Sequence, residues 1–145
     1  MPSSLFVNRL YKTLQEHKVI LVYVPLAVYW AIIFTATSIP VDGLPKFFDA
    51  QDKFEHFAAY FILEILLALT LHFQDKFYIF KQKPILYSLF FLSLYAALDE
   101  IHQYFIPGRY ADVLDWAADV IGGSIAILLL RMFFQKATVL QRTEE

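Results

Sequence analysis

The chain has no cysteine, and its charged residues are few and nearly balanced in sign. The absence of cysteine excludes a disulfide framework, a thiolate metal site and a cysteine nucleophile. Lysine and arginine number 12 against 14 acidic residues, which gives a formal net charge of −2. A nucleic-acid-binding protein would carry a basic patch or stripe. The sequence therefore predicts no nucleic-acid partner.

Apolar side chains are what the chain has in excess. Hydrophobic residues make up 59% of the sequence and the mean hydropathy is +0.51, whereas about 45–50% is usual in soluble domains. This excess has to face lipid, so a lipid bilayer is the first predicted partner. A length of 145 residues predicts a single domain, residues 1–145, because domains usually contain about 100–200 residues.

Four apolar stretches approach the length of about 20 residues that a helix needs to cross a bilayer. They are residues 19–39, 54–73, 85–106 and 113–134. Short connections between them favour antiparallel packing. The sequence thus predicts an all-α membrane protein, a four-transmembrane-helix antiparallel bundle. A cleaved signal peptide is the alternative interpretation of the first stretch, although its apolar region would be only about 7–15 residues long.

The orientation follows from lysine and arginine, which are in excess in cytoplasmic loops. One side of the predicted bundle has nine of these residues: Arg9, Lys12, Lys18, Lys76, Lys81, Lys83, Arg131, Lys136 and Arg142. The other side has three: Lys46, Lys53 and Arg109. This distribution predicts that both termini are cytoplasmic.

Most acidic residues fall in the predicted outer half of the bundle. At about 1.5 Å of rise per residue, Glu100 and Asp119 each lie roughly 9 Å inside the outer ends of their helices. Tyr60 reaches a similar depth on the second helix, and His56 lies one turn above it. Charges at this depth must be paired or hydrated, so we expect Glu100 and Asp119 to have partners, with His56 or Arg109 the partner of one of them.

Helical spacing places a set of polar side chains on the inward faces of three helices. The candidate binding residues are Lys53, His56, Tyr60, Glu100, Gln103, Arg109, Asp112, Asp115 and Asp119. Asp99 either caps its helix or faces a neighbouring one, and His102 points away. A ladder of small residues, Ala118, Gly122 and Ala126, favours close helix packing over a binding role.

The connection between the third and fourth spans is a tight turn that contains Pro107, Gly108 and Arg109. The planar guanidinium of Arg109 can grip a carboxylate or a phosphate with two parallel donors. Two interpretations stay open. Arg109 either binds an anionic ligand or forms a salt bridge to Asp112, Asp115 or Glu100 that holds the turn.

At these residues the sequence resembles the VanZ-like family. The similar pattern runs through the second span and from the third span into the fourth: Asp52, Lys53, His56 and Tyr60, followed by Glu100, Gln103, Pro107, Gly108, Arg109, Asp112, Asp115, Asp119 and Gly122. The family usually has Asn at the position of Asp119. The resemblance implies a multi-pass protein of the bacterial inner (cytoplasmic) membrane, in a family whose founding member is associated with teicoplanin resistance. It implies no settled reaction.

Three hypotheses for the polar residues remain. The first is an outer-leaflet site for an anionic envelope lipid or a cell-wall precursor, in which Arg109 and Lys53 meet phosphate and Tyr60 and Tyr110 lie at the interface. The second is an intramembrane hydrolase or transferase, with His56 as general base. Its catalytic candidates are His56, Glu100, Asp115 and Asp119, which are also the ligands of its metal-assisted version. The third is a structural network with no ligand. No cofactor is predicted, and transport is disfavoured because the inner half offers almost only Glu64.

Overall fold

The computed structural model describes the backbone of residues 2–41 and 50–144, and the side chains of residues 5–41 and 50–139. In these ranges the chain is helical and contains no strand. The helices are α1 (Pro2–Glu16), α2 (Val24–Ser38), α3 (Gln51–Phe73), α4 (Tyr78–Gln82), α5 (Pro84–Gln103) and α6 (Val113–Glu144), with a π-helical turn (Val19–Tyr23) directly before α2. Lys46, which was counted for the orientation, lies outside the described residues.

Four helices are long and apolar enough to cross a membrane, which confirms the predicted all-α bundle of a multi-pass membrane protein. Their apolar spans are Val19–Ser38, Gln51–Phe73, Pro84–Gln103 and Val113–Val139. Helices α3, α5 and α6 pack on one another, and α2 packs on α3 and α5. We call the end of the bundle with the connections 39–50 and 104–112 the distal end, and the end with the termini and residues 74–83 the terminal end.

Two helix ends differ from the boundaries of the predicted spans. The third span ends at Gln103 instead of residue 106, and the fourth helix continues well beyond residue 134. After Gln103 the backbone forms turns, with Phe105 N–H donating to His102 O and Ile106 N–H to Gln103 O. Pro107 explains the early end, because the residue before a proline is pushed out of the α conformation.

The first span begins with the π-helical turn, in which Val24 N–H donates to Val19 O. Pro25 follows directly and lacks the N–H that an α-helix would use at that position. Single π turns are a common way for a helix to absorb such a misfit. The π-helical turn therefore accommodates Pro25 within this span.

Helix α1 was not predicted from hydropathy. It packs against α6, and Tyr11 from this helix packs edge-on against Phe73 and lies within hydrogen-bond distance of His72 Nε2, at 3.0 Å. Burial raises the pKa of the Tyr11 hydroxyl. The helix thus closes the terminal end over an apolar cluster of Val22, Ala68, Leu69, Phe73 and Leu130.

Candidate functional site

His56, Glu100 and Asp119 form the centre of the polar site in the distal half. His56 Nδ1 lies 3.1 Å from Asp119 Oδ1 and 3.8 Å from Glu100 Oε1. Asp119 is fully buried and Glu100 is nearly so. The second oxygen of Glu100 accepts a hydrogen bond from the Asp112 backbone N–H at 2.8 Å. Both carboxylates therefore have the partners that their depth predicted, and His56 is the partner of Asp119.

Asp99 is the acceptor of a second network that joins three helices. Its Oδ1 accepts from the Thr37 hydroxyl at 2.8 Å, and its Oδ2 accepts from the Tyr60 hydroxyl and from Gln103 Nε2, both at 3.1 Å. The sequence left Asp99 undecided between a cap and a neighbouring helix, and it faces its neighbours. Thr37 was missed, and its position in the last turn of an apolar span was the available signal.

Arg109 holds the distal end of the first span. Its Nη2 and Nε donate to the Ala36 and Ile39 carbonyls at 2.6 and 3.0 Å, and its Nη1 donates to Gln103 Oε1 at 3.3 Å. Carbonyls at a helix C-terminus have no partner within the helix, so they are ready acceptors. The turn reaches them because Gly108 adopts a positive φ of 77°, which glycine does without steric strain.

The predicted salt bridge of Arg109 to Asp112, Asp115 or Glu100 was therefore wrong, because the guanidinium donates to carbonyls and to an amide. Lys53 takes the ionic role instead. Its Nζ donates to Asp112 at 2.7 Å and to Asp115 at 2.9 Å. The hydrogen bond from Lys53 holds the pKa of the Asp112 carboxyl below its usual range.

A family model described as VanZ/LLP1 matches residues 4–134, which include the first three spans, most of the fourth and every candidate site residue. The chain belongs to the VanZ/LLP1 family. No curated protein and no solved structure matches it. The resemblance inferred from the spacing of the polar residues is thereby confirmed.

One expectation for this VanZ/LLP1 chain needs correction. Tyr60 does not lie at the membrane interface, since its side chain is buried and bonded to Asp99. Tyr110, by contrast, is 83% exposed in the distal connection. Lys53, expected to meet phosphate, already has two aspartate partners. Arg109 and Lys53 are thus both engaged within the protein.

Two cavities of the VanZ/LLP1 bundle lie along α2. The polar cavity has a volume of about 130 Å³, and its polar lining consists of Thr37, Glu55, His56, Tyr60 and Arg109. The apolar groove has a volume of about 370 Å³ and is lined by residues that include Leu26, Trp30, Leu63, Leu67, Phe91 and Leu98. On α2 the groove ends at Trp30, and the polar cavity begins at Ile33, about one helical turn further toward the distal end.

His56, Glu100 and Asp119 also offer donor atoms of the kind that coordinate divalent cations. One such atom from each residue lies within 4.8 Å of the other two. Asp115, which the sequence suggested as a fourth metal ligand, is not in this group and accepts from Lys53 instead. The imidazole and two carboxylates are therefore the part of the predicted ligand set that the fold brings together.

Proposed function

We propose that this VanZ/LLP1 protein binds an anionic envelope lipid, such as an undecaprenyl-linked cell-wall precursor, from the outer leaflet. The observation that carries the proposal is the succession of the apolar groove and the polar cavity along one helix. An amphipathic molecule has the same two parts in the same order. Its chain would occupy the groove beside Trp30, and its head group would lie in the cavity beside His56.

The groove is accessible from the lipid phase. Trp30 is 42% exposed and Leu98 is 54% exposed, and within a bilayer such surfaces face acyl chains. The polar cavity, in contrast, has the features of a head-group site: an imidazole edge, hydroxyls and a guanidinium. Polar groups at membrane depth that line a cavity are functional by default.

The orientation belongs to the same proposal. Nine of the 12 lysines and arginines lie on the side of the termini, which favours cytoplasmic termini and an outer-leaflet cavity. The absence of native cysteine makes this testable by labelling with a membrane-impermeant maleimide. In intact cells, Tyr110→Cys should be labelled and Phe77→Cys should not. The reverse result would place the cavity in the inner leaflet.

Native mass spectrometry of the purified protein with undecaprenyl phosphate tests the binding itself. We expect Leu98→Trp, which fills the groove, to reduce the lipid-bound fraction severalfold. The matched control is Leu128→Trp, on an equally exposed position of α6 that does not line the groove. Undecaprenol, which lacks the phosphate, should bind more weakly than undecaprenyl phosphate. Equal binding of the two lipids, or equal effects of the two substitutions, would refute the proposal.

Hydrolysis of the bound lipid is the second candidate, and the pairing of His56 with Asp119 favours it. Since Asp119 holds Nδ1, Nε2 is the nitrogen left to take a proton from an attacking water. Hydrolysis of undecaprenyl phosphate would release undecaprenol and inorganic phosphate, with the proton returned to the leaving oxygen. Mass spectrometry of the lipid after incubation distinguishes the two functions, because a lipid recovered unchanged supports binding alone.

A further inference from the structure

The carboxylates at the centre of the polar site lack a matching positive charge. Arg109 is engaged with backbone carbonyls and Gln103, and Lys53 is engaged with Asp112 and Asp115. A single imidazole is left between Glu100 and Asp119. Of the three, only His56 lines the polar cavity, whose own carboxylate is Glu55. An anionic head group in this cavity would meet repulsion from Glu55 and, at longer range, from Glu100 and Asp119.

Each of these carboxylates also has one buried oxygen that accepts no hydrogen bond from the described residues. Glu100 Oε1 and Asp119 Oδ2 are buried and have no hydrogen-bond partner among the described residues. Glu100 Oε1 is the oxygen that lies 3.8 Å from His56 Nδ1, so it points into the cluster. Buried charges without compensation are costly, and coordination of a metal is one of the few arrangements that compensates them.

We infer that His56, Glu100 and Asp119 bind a divalent cation of the Zn²⁺ class. With zinc–ligand bonds of about 2.0–2.1 Å, neighbouring ligand atoms of a tetrahedral site lie roughly 3.3 Å apart. The observed separations from His56 Nδ1, 3.1 Å to Asp119 and 3.8 Å to Glu100, bracket that value. Donor atoms of all three residues lie within 4.8 Å of one another, so rotation of these side chains would bring them onto one ion.

The surroundings of the cluster fit a metal with an exchangeable position. Three protein ligands and one open position are typical of non-structural zinc sites, and here His56 lines the polar cavity. Glu100 is held by the hydrogen bond from Asp112 N–H to its other oxygen, and such outer contacts orient metal ligands. Mixed imidazole and carboxylate ligands suit zinc better than magnesium or calcium, which prefer oxygen alone.

A bound cation would add positive charge beside His56, which lines the polar cavity. The open position would then accept an oxygen of a phosphate or carboxylate group. This last step rests on the proposed function, whereas the metal site itself does not. The metal is therefore tested in the absence of any lipid, so that either proposal can fail while the other stands.

The test uses the full-length protein, purified in detergent without a polyhistidine tag and stripped with a chelator. Equilibrium dialysis against Zn²⁺ alone should yield one ion per chain. Asp119→Asn retains an oxygen for His56 but removes the charge, and it should weaken Zn²⁺ binding by about tenfold or more, as should Glu100→Gln. The matched control is Glu64→Gln, which neutralises another buried carboxylate on the helix of His56 and should bind Zn²⁺ like the wild type.

Thermal unfolding separates loss of the ion from loss of the fold. Zn²⁺ should raise the unfolding temperature of the wild type and of Glu64→Gln, because a ligand that binds only the native state stabilises it. It should leave that of Asp119→Asn unchanged. A wild-type protein that binds no stoichiometric Zn²⁺ would overturn the inference, and so would Asp119→Asn and Glu100→Gln variants that bind Zn²⁺ as tightly as the wild type.

Discussion

The distal and terminal halves of the bundle use polar side chains in different ways. In the distal half, the single carboxylate of Asp99 accepts hydrogen bonds from three side chains, which lie on α2, α3 and α5. In the terminal half the buried carboxylate is Glu64, and its hydrogen bond comes from Ser88 at 2.6 Å. Around Glu64 the helices meet through apolar contacts, such as those of Leu63 and Leu92.

The difference shows that one bundle can be held by two kinds of contact. Interhelical hydrogen bonds in membranes contribute only about 0.6 kcal/mol on average, so close packing has to provide most of the stability. A polar network makes one arrangement of the helices specific, because each donor must face its acceptor. We therefore expect packing substitutions to have the largest effects and surface ion pairs the smallest.

Gly122 lies about one helical turn from Asp119 on α6, and it is the position at which we expect the largest effect. A Cβ atom there would lie 2.4 Å from the Phe57 carbonyl oxygen, which is part of the α3 backbone. Gly122→Ala should destabilise the bundle by about 1–3 kcal/mol, and Gly122→Leu by more, because whole helices must separate. Membrane yield and the unfolding temperature in detergent measure the effect.

Gly123 provides the control for this prediction. A Cβ atom at that position would come equally near, at 2.3 Å, but to the Cδ2 atom of the Leu92 side chain. A side chain can rotate where a backbone cannot, so Gly123→Ala should cost less than Gly122→Ala. Equal losses of stability at the two glycines would contradict the idea that backbone contact between α3 and α6 holds the bundle.

The next prediction compares one buried carboxylate from each half, Asp99 and Glu64. Asp99→Leu leaves the Tyr60 hydroxyl and the Gln103 amide without their acceptor, and should cost about 1–3 kcal/mol. Glu64→Met should be near neutral, since Ser88 also donates to the Ile85 carbonyl at 3.1 Å. Chemical unfolding of the two variants in detergent measures both free energies. A Glu64 variant that is the less stable of the two would reverse the comparison.

The helical repeat was enough to predict the centre of the site. A rise of about 1.5 Å per residue predicted one depth for Glu100 and Asp119, with Tyr60 at a similar depth and His56 one turn above it. The structure joins His56 to both carboxylates. The four spans were likewise predictable, because their hydropathy is a property of composition alone. Helix α1 was missed because its mean hydropathy is low, although the helical spacing of Leu10, Tyr11 and Leu14 was an available signal of an amphipathic helix.

Arg109→Lys tests the distal end, and here we expect a smaller effect of about 1 kcal/mol on stability. Lysine keeps the charge but is a point donor, so it cannot reach the Ala36 and Ile39 carbonyls and Gln103 together. The control is Arg131→Lys on the exposed surface of α6, which should be neutral. Equal decreases in unfolding temperature for the two variants would contradict the proposed role of Arg109 in holding the end of the first span.

The partners of Arg109 could not be predicted, for a physical reason. Its acceptors at Ala36 and Ile39 are backbone carbonyls, which every residue possesses, so no side chain in the sequence marks them. A carboxylate is visible in a sequence, and this visibility explains the mistaken choice of Asp112, Asp115 or Glu100. The carbonyls available to Arg109 depend on where α2 ends, and the fold determines that end.

The smallest effect is expected at Asp75, on the surface of the terminal end. Hydrogen bonds from Lys18 and Lys81 lower the pKa of Asp75 from 3.8 to about 2. A pKa depressed in the folded state adds stability above about pH 4, and that contribution is lost as the pH falls toward 2. The unfolding temperature of the wild type should fall more than that of Asp75→Asn between pH 5 and pH 2.5. High salt should reduce this difference between the two proteins. A difference in unfolding temperature that does not change with salt concentration would argue against an exposed ion pair.

The contact of Arg109 with the first span also constrains the order of membrane insertion. The guanidinium and its acceptors Ile39 and Ala36 are separated by 70 and 73 residues along the chain. During synthesis the first span therefore enters the bilayer well before its distal carbonyls can meet their donor. Until the hairpin of α5 and α6 has been inserted, the Ile39 carbonyl must be satisfied by interfacial water or by lipid head groups, whereas the Ala36 carbonyl can accept from the Ile39 N–H. The hydrogen bonds at the distal end of α2 are thus completed last at this end of the bundle. A chain that stops before the turn at Arg109 would lack the donor for these carbonyls.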